Sequence, residues 1–116
     1  MEAKAIVKNI RISPRKVSIV MDLIRGKNTD VAMGILKNTR KAACEPLIKL
    51  LASAQANVIN KAEVAGIAVD ESKLYVAEVF VCPGPTMKRG QARARGGFDR
   101  ILKRTCHMTL VVKERD

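Results

Sequence analysis

The spacing of apolar positions near the start of the chain predicts a strand followed by a helix. Residues 3–12 mix β-branched and charged positions, which predicts a strand that ends at Ser13-Pro14. Ser13 is predicted to cap the next helix, in which Pro14 takes the first position because its missing N–H is harmless there. Gly26 stands where a left-handed C-terminal cap is expected, so this helix is predicted over residues 14–25.

The middle of the chain predicts two more helices. Thr29 is predicted to cap a short helix that runs through Lys37. A third helix has a continuous apolar face at helical spacing and is expected to be the spine of the core, with Pro46 tolerable only near its first turn. The residues of this face are Ala43, Leu47, Leu50, Leu51, Ala54 and Val58.

The last third of the chain predicts a long antiparallel hairpin. Residues 74–82 are rich in β-branched and apolar side chains, and residues 101–112 are predicted to return beside them. The alternation of the return segment predicts one buried face, formed by Cys106, Met108, Leu110 and Val112. Between Val81 and Ile101 large apolar groups are almost absent, so the distal part cannot bury enough surface to pack on the domain. A projecting arm is therefore predicted at about residues 79–104.

Charge is concentrated in two segments. Residues 84–104 contain seven basic side chains and one acid, Asp99, a net charge of +6, and residues 1–27 contain seven bases and two acids, a net charge of +5. Residues 28–83 balance at six and six, and residues 105–116 at two and two, so the formal net charge of +11 arises from the two basic segments. Clustered positive charge attracts phosphate, which indicates a nucleic-acid partner. A solvated basic surface without a partner is the alternative.

The cysteines do not indicate a metal site. Cys44, Cys82 and Cys106 are odd in number, lack CxxC spacing and have no pair of histidines beside them. Reduced, small, buried thiols are expected, with no metal and no cofactor. Oxidation of Cys82 with Cys106, one on each limb of the hairpin, is the less favoured alternative.

Targeting signals are not apparent either. The longest apolar runs fall short of the roughly 20 residues that cross a bilayer. The N-terminus lacks the apolar core of a signal peptide. The chain is therefore expected to stay inside the cell, or inside an organelle that makes it, without a membrane partner.

Two other functions are alternatives for a chain with a basic surface of this kind. A small nuclease would use His107, the only histidine, but this residue lies in an alternating strand where imidazoles usually face outward, and a paired general base is not evident. Asp70 and Glu71 are interpreted as turn residues. A free nucleic-acid-binding regulator or architectural protein would share the basic arm and differ only in its partner.

Five segments together resemble the large-subunit ribosomal protein L22 (uL22) family, of bacterial or organellar type. In chain order they are Ser13-Pro-Arg-Lys-Val17, Leu23-Ile-Arg-Gly-Lys27, Leu50-Leu-Ala-Ser-Ala-Gln-Ala-Asn57, Gly84-Pro-Thr-Met-Lys-Arg89 and Arg100-Ile-Leu-Lys-Arg-Thr-Cys-His107. The resemblance spans essentially the whole chain. It implies an α+β fold in one domain, residues 1–116, with three helices packed on a three-stranded antiparallel sheet and a long projecting β-hairpin.

The resemblance also implies a function and partners. The chain would be a non-enzymatic structural constituent of the large ribosomal subunit, bound to 23S-type rRNA, in the cytoplasm or on an organellar ribosome. Its arm would pass between rRNA domains, and the arm's tip would line the nascent-peptide exit tunnel at a constriction shared with ribosomal protein L4. The nascent polypeptide would be a further partner, and no homo-oligomer is expected.

Two sets of residues are candidates for these roles. The candidates for rRNA binding are Arg11, Arg15, Lys16, Arg25, Lys27, Lys88, Arg89, Arg93, Arg95, Arg100, Lys103 and Arg104. The tip that would line the tunnel corresponds to Met87, Lys88, Arg89, Gly90, Gln91, Ala92, Arg93, Ala94, Arg95, Gly96 and Gly97. Tyr75, Phe80 and Phe98 are the only aromatic residues, too few for a stacking platform, so recognition of RNA shape is expected.

Overall fold

Three helices and five strands make up the part of the chain that the structure, a computed structural model, describes, residues 1–115. In chain order they are β1 (Glu2–Ile10), α1 (Pro14–Ile24), α2 (Thr29–Asn38), α3 (Cys44–Ala65), β2 (Leu74–Pro83), β3 (Met87–Ala92), β4 (Phe98–Lys103) and β5 (Cys106–Glu114). The fold is therefore α+β, as the resemblance implied.

A three-stranded antiparallel sheet is the base of the fold. Strand β5 lies in the centre and pairs with β1 on one side and β2 on the other. Leu110 of β5 lies opposite Ala5 and Val79, and all three side chains are buried. Because side chains alternate between the two faces of a strand, this register gives the sheet one apolar face and one face open to solvent.

The three helices pack against the apolar face of the sheet. Helix α3 contacts β1 and β5, while α1 contacts β2 and α2 fills the space between the other helices. The whole predicted face of α3 is buried, and so are the four predicted inward positions of β5. These two predictions are confirmed, since the apolar period of each segment matches the geometry of its element.

The caps of the first two helices differ from the prediction. Ser13 occupies the N-cap of α1, but its hydroxyl makes no capping hydrogen bond, and its carbonyl accepts from the backbone N–H of Val17 at 3.2 Å. Thr29 is the first residue of α2 and not its cap, because Asn28 holds that position. The Thr29 hydroxyl is buried, without a hydrogen-bond partner among the described residues.

Strand β1 ends earlier than residue 12. The ladder with β5 is irregular between Val7 and Ile10, and Asn9 has a φ of 59°. A non-glycine residue in this left-handed region marks a bulge, after which only Ile10 still pairs with β5. Arg11 consequently lies in the loop before α1, where its side chain is free to leave the sheet.

Glycine at position 26 is required by the backbone, and its replacement gives a test of the fold. Gly26 has a φ of 79° and follows Arg25, the C-cap of α1, and its N–H donates to the Val76 carbonyl at 2.9 Å. We expect Gly26→Ala to lower the free energy of unfolding by about 1–2 kcal/mol, because L-residues are strained at positive φ. Gly34→Ala is the matched control, since position 34 lies inside α2 with open space around it and alanine should stabilise the helix. Chemical denaturation of both variants measures the difference, and equal effects would contradict this interpretation.

Candidate nucleic-acid interface

The arm is a separate two-stranded ladder. Strands β3 and β4 pair antiparallel, with Gly90 opposite Arg100 and Ala92 opposite Phe98. A short 3-10 turn at Ala94–Gly96 joins them. All residues of β3 and of the turn are exposed, and the molecule measures 68 Å along its longest axis against 27 and 17 Å along the others. The arm is thus a ladder separate from the main sheet, exposed along β3 and the turn, in an elongated molecule.

The hairpin is interrupted at the root of the arm, where a continuous return strand had been predicted over residues 101–112. The outgoing limb contains Pro83 and Pro85, and proline has no N–H for a ladder. The two limbs are instead held together at one point, where the N–H of Gly84 donates to the Thr105 carbonyl at 3.0 Å and the Thr105 hydroxyl donates to the Pro85 carbonyl at 2.6 Å. The first residues of the predicted arm, 79–83, belong to β2 in the main sheet.

The alternation of the two strands gives the arm two chemically different faces. One, the Phe98 face, is formed by Lys88, Gly90, Ala92, Phe98, Arg100 and Leu102. The other, the Asp99 face, is formed by Met87, Arg89, Gln91, Asp99, Ile101 and Lys103. Asp99, the one acid of residues 84–104, forms an ion pair with Arg93. The Phe98 face is therefore purely cationic in its charged residues.

The structure joins the two basic segments that the sequence separates. Arg11 donates from Nη1 to the carbonyl of Arg104 at 2.6 Å, across 93 positions of the chain. Arg104 lines one cleft with Lys16 and a second with Arg15. We call this group the arm-base cluster, and it consists of Arg11, Arg15, Lys16, Lys103 and Arg104. Because its members share one surface, positive charge runs without a break from the domain onto the arm.

One cation near this cluster, Lys41, is not among the residues predicted to bind rRNA. Lys41 lines an apolar cleft together with Lys16, Ile12 and Ile19. It lies in the exposed loop between α2 and α3, within the segment whose charges balance overall. A sum of charges over a long segment hides a single cation, so the adjacency of Lys41 and Lys16 was visible only in three dimensions.

Two of the candidate residues lie elsewhere. Arg25 forms an ion pair with Asp22, and its Nη2 donates to the Val79 carbonyl at 2.8 Å. These contacts tie the end of α1 to β2, so the guanidinium has a structural role. Lys27 follows in the same loop, and its backbone carbonyl accepts from the N–H of Val76 at 2.9 Å. The structure does not bring this pair into the arm-base cluster.

The cysteine prediction is wrong for one residue. Cys44 and Cys106 are buried, but Cys82 is exposed. In the ladder, Cys82 lies opposite His107, and Cys106 lies opposite Pro83. This offset of one residue places the two thiols on opposite faces of the sheet, so they cannot form a disulfide without a change of register. Burial raises the pKa of the Cys106 thiol, which keeps it protonated.

The remaining polar candidates have structural roles. His107 accepts at Nδ1 a hydrogen bond from the backbone N–H of Asn9 at 3.0 Å. Asp70 caps the 3-10 turn Glu71–Lys73 by accepting from the N–H and the hydroxyl of Ser72, and these bonds lower the pKa of Asp70. The interpretation of Asp70 as a turn residue is therefore confirmed. Across residues 1–115, no group of three or more His, Cys, Asp or Glu side chains could hold a metal ion.

This architecture defines a class of small basic α+β proteins that present a charged β-hairpin arm. The chain belongs to the ribosomal protein L22p/L17e family, whose model matches residues 5–113. It is 53% identical to the large ribosomal subunit protein uL22 of Clostridium tetani over the full length of both chains. It is 54% identical to that of Acetivibrio thermocellus, over 98% of this chain and 87% of the relative, and 51% identical to that of Clostridium novyi, over 99% of each.

Family membership decides between the functions weighed for the sequence. The family consists of structural constituents of the ribosome, so the chain is a ribosomal protein and not an enzyme. The resemblance inferred from the five sequence segments is confirmed. Within the described part of the chain, no helix is both long enough and apolar enough to cross a membrane.

Proposed function

We propose that the chain binds 23S-type rRNA in the large ribosomal subunit through the arm and the arm-base cluster, and so stabilises assembly of the subunit. One observation above all supports this proposal: both segments that carry the net charge meet at the root of the arm through Arg11 and Arg104. Such a surface binds phosphates with release of counterions, and arginine can hold two phosphate oxygens at once. The contacts are mainly to the backbone, so RNA shape is recognised more than base sequence.

The position of the arm in the subunit is a second part of the proposal. The arm passes between rRNA domains, and its tip, residues 87–97, lines the nascent-peptide exit tunnel beside ribosomal protein L4. Its exposure, its narrow two-stranded section and the small side chains of Ala92 and Ala94 suit a confined channel. The nascent polypeptide is then a further partner. The relatives named above are bacterial, which favours a cytoplasmic over an organellar ribosome.

Sedimentation followed by crosslinking tests both parts of the proposal. The tagged full-length protein is sedimented from cell lysate at high salt, and RNA crosslinked to residues 88–95 is identified. We expect the protein in the large-subunit fraction, with crosslinks to rRNA at the tunnel. A protein that stays at the top of the gradient with diverse RNAs would overturn the proposed binding to large-subunit rRNA. Crosslinks confined to rRNA far from the tunnel would support the rRNA partner and overturn the placement of the tip.

A further inference from the structure

Phe98 is an exposed aromatic side chain in the most basic part of the molecule. It lies at the start of β4, and 74% of its surface is accessible to solvent. The other two aromatic residues lie on β2, where the ring of Tyr75 is covered by the guanidinium of Arg115 at 4.2 Å from its centroid. A phenyl ring held in water at the far end of a charged arm contributes nothing to the core, so packing within the domain does not explain it.

The arm holds this ring in a defined place. The ring of Phe98 lies across Gly90 on the neighbouring strand, and a Cβ at position 90 would come 1.8 Å from its Cζ. Any side chain at position 90 would therefore displace the ring. Glycine lets the end of the ring lie against the backbone of β3, which covers a small part of it and leaves the rest to solvent.

The charged residues around the ring are all cations. Arg100 lies two positions along the same strand, and Lys88 is on the same face of the opposite strand. Asp99 points to the other face, where it is paired with Arg93. The Phe98 face thus combines a flat aromatic surface with two cations that form no ion pair among residues 1–115, which is the chemistry that binds a base and its flanking phosphates.

We infer that Phe98 is a base-stacking residue: an unpaired nucleobase of the rRNA stacks on the solvent side of its ring, and Lys88 and Arg100 contact the phosphates on either side. The inference rests on the proposed rRNA binding and adds to it one defined contact. It refines the expectation of pure shape recognition, because a single stacked base fixes the arm at one nucleotide without requiring a particular base. A nascent peptide is the less suitable occupant, since both charged residues of this face, Lys88 and Arg100, are cations that favour phosphate.

Tryptophan fluorescence tests this inference directly, because the chain contains no tryptophan. Phe98→Trp in the full-length protein places a single reporter at the ring, and Gln91→Trp places one on the opposite face of the same ladder. Both variants are titrated with protein-free large-subunit rRNA. We expect strong quenching and loss of acrylamide accessibility at position 98, and a weaker response at position 91.

Affinity measurements separate stacking from simple coverage of Gly90. At one fixed salt concentration, Phe98→Ala should weaken rRNA binding by about tenfold, within the range found for loss of one stacked base. Phe98→Tyr should bind like the wild type. Phe98→Leu covers Gly90 without an aromatic ring and should bind like Phe98→Ala.

The outcomes distinguish this inference from the function on which it rests. If wild-type protein binds rRNA while position 98 is not quenched, or if Phe98→Leu binds as tightly as wild type, the stacking role is wrong and rRNA binding stands. If protein-free rRNA does not quench position 98 but ribosomes that carry a nascent chain do, the partner of the ring is a peptide. If the wild-type protein does not bind rRNA, both proposals fail.

Discussion

Replacement of Lys88, Arg89, Arg95 and Arg100 by glutamine is expected to weaken binding to large-subunit rRNA several-hundredfold at physiological salt. The slope of log affinity against log salt is negative, and each lost phosphate contact reduces its magnitude by about 0.7–0.9. Loss of four contacts therefore reduces the magnitude of the slope by about 3. Arg93 is kept, because its removal would free the charge of Asp99 and add a second effect. Filter binding over a series of KCl concentrations measures both the affinity and the slope.

The control for this variant removes four positive charges from the domain and leaves the arm unchanged. Lys37, Lys49, Lys61 and Lys73 lie on the exposed surface of the charge-balanced segment, away from the arm. Their replacement by glutamine should leave the slope close to that of the wild type. The arm variant should also unfold at the wild-type temperature, because its four substituted side chains are exposed. Equal losses in the two variants would show that total charge, and not its position on the arm, determines binding.

The sequence predicts correctly those parts of the fold in which the spacing of apolar residues determines which side chains are buried. In α3 the apolar residues recur at helical spacing, and in β5 they recur at every second position. Each pattern fits only one type of element when one side faces a core. The arm was predictable for the opposite reason, since a long segment without large apolar groups has no means of packing onto the domain.

The parts that sequence did not predict depend on pairing between distant residues. Cys82 lies opposite His107, on the face of the sheet turned away from the core, and it is exposed at the end of β2. The contact of Arg11 with Arg104 follows the irregularity of β1 at Asn9, where the backbone is left-handed. Neither the turn nor the register leaves a periodic signal in the chain.

Pairing between distant residues also explains why the arm and the arm-base cluster need the whole domain. The arm itself buries little, and its limbs are joined at the root by the hydrogen bonds of Gly84, Pro85 and Thr105. Thr105 is followed at once by the buried residue Cys106 of β5. The central strand of the core therefore sets the direction in which the arm leaves, and loss of the core should release the arm-base cluster.

A cavity in the core is expected to have the largest effect on stability. Leu51 of α3 is completely buried in the core, and Leu51→Ala should lower the free energy of unfolding by about 2–5 kcal/mol. Domains of this size are stable by only about 5–15 kcal/mol, so the melting temperature should fall by roughly 10 °C or more. Thermal unfolding followed by circular dichroism measures this change.

Val64→Ala on the same helix is the matched control, because Val64 is 91% exposed and alanine is the better helix former. This variant should be as stable as the wild type or slightly more so. Below its melting temperature, Leu51→Ala should keep the wild-type salt slope for rRNA, since its arm and arm-base cluster are intact. A weaker salt dependence of rRNA binding in folded Leu51→Ala would contradict this expectation. It would show that the packing of the core affects the arm, in addition to the hydrogen bonds at the root of the arm.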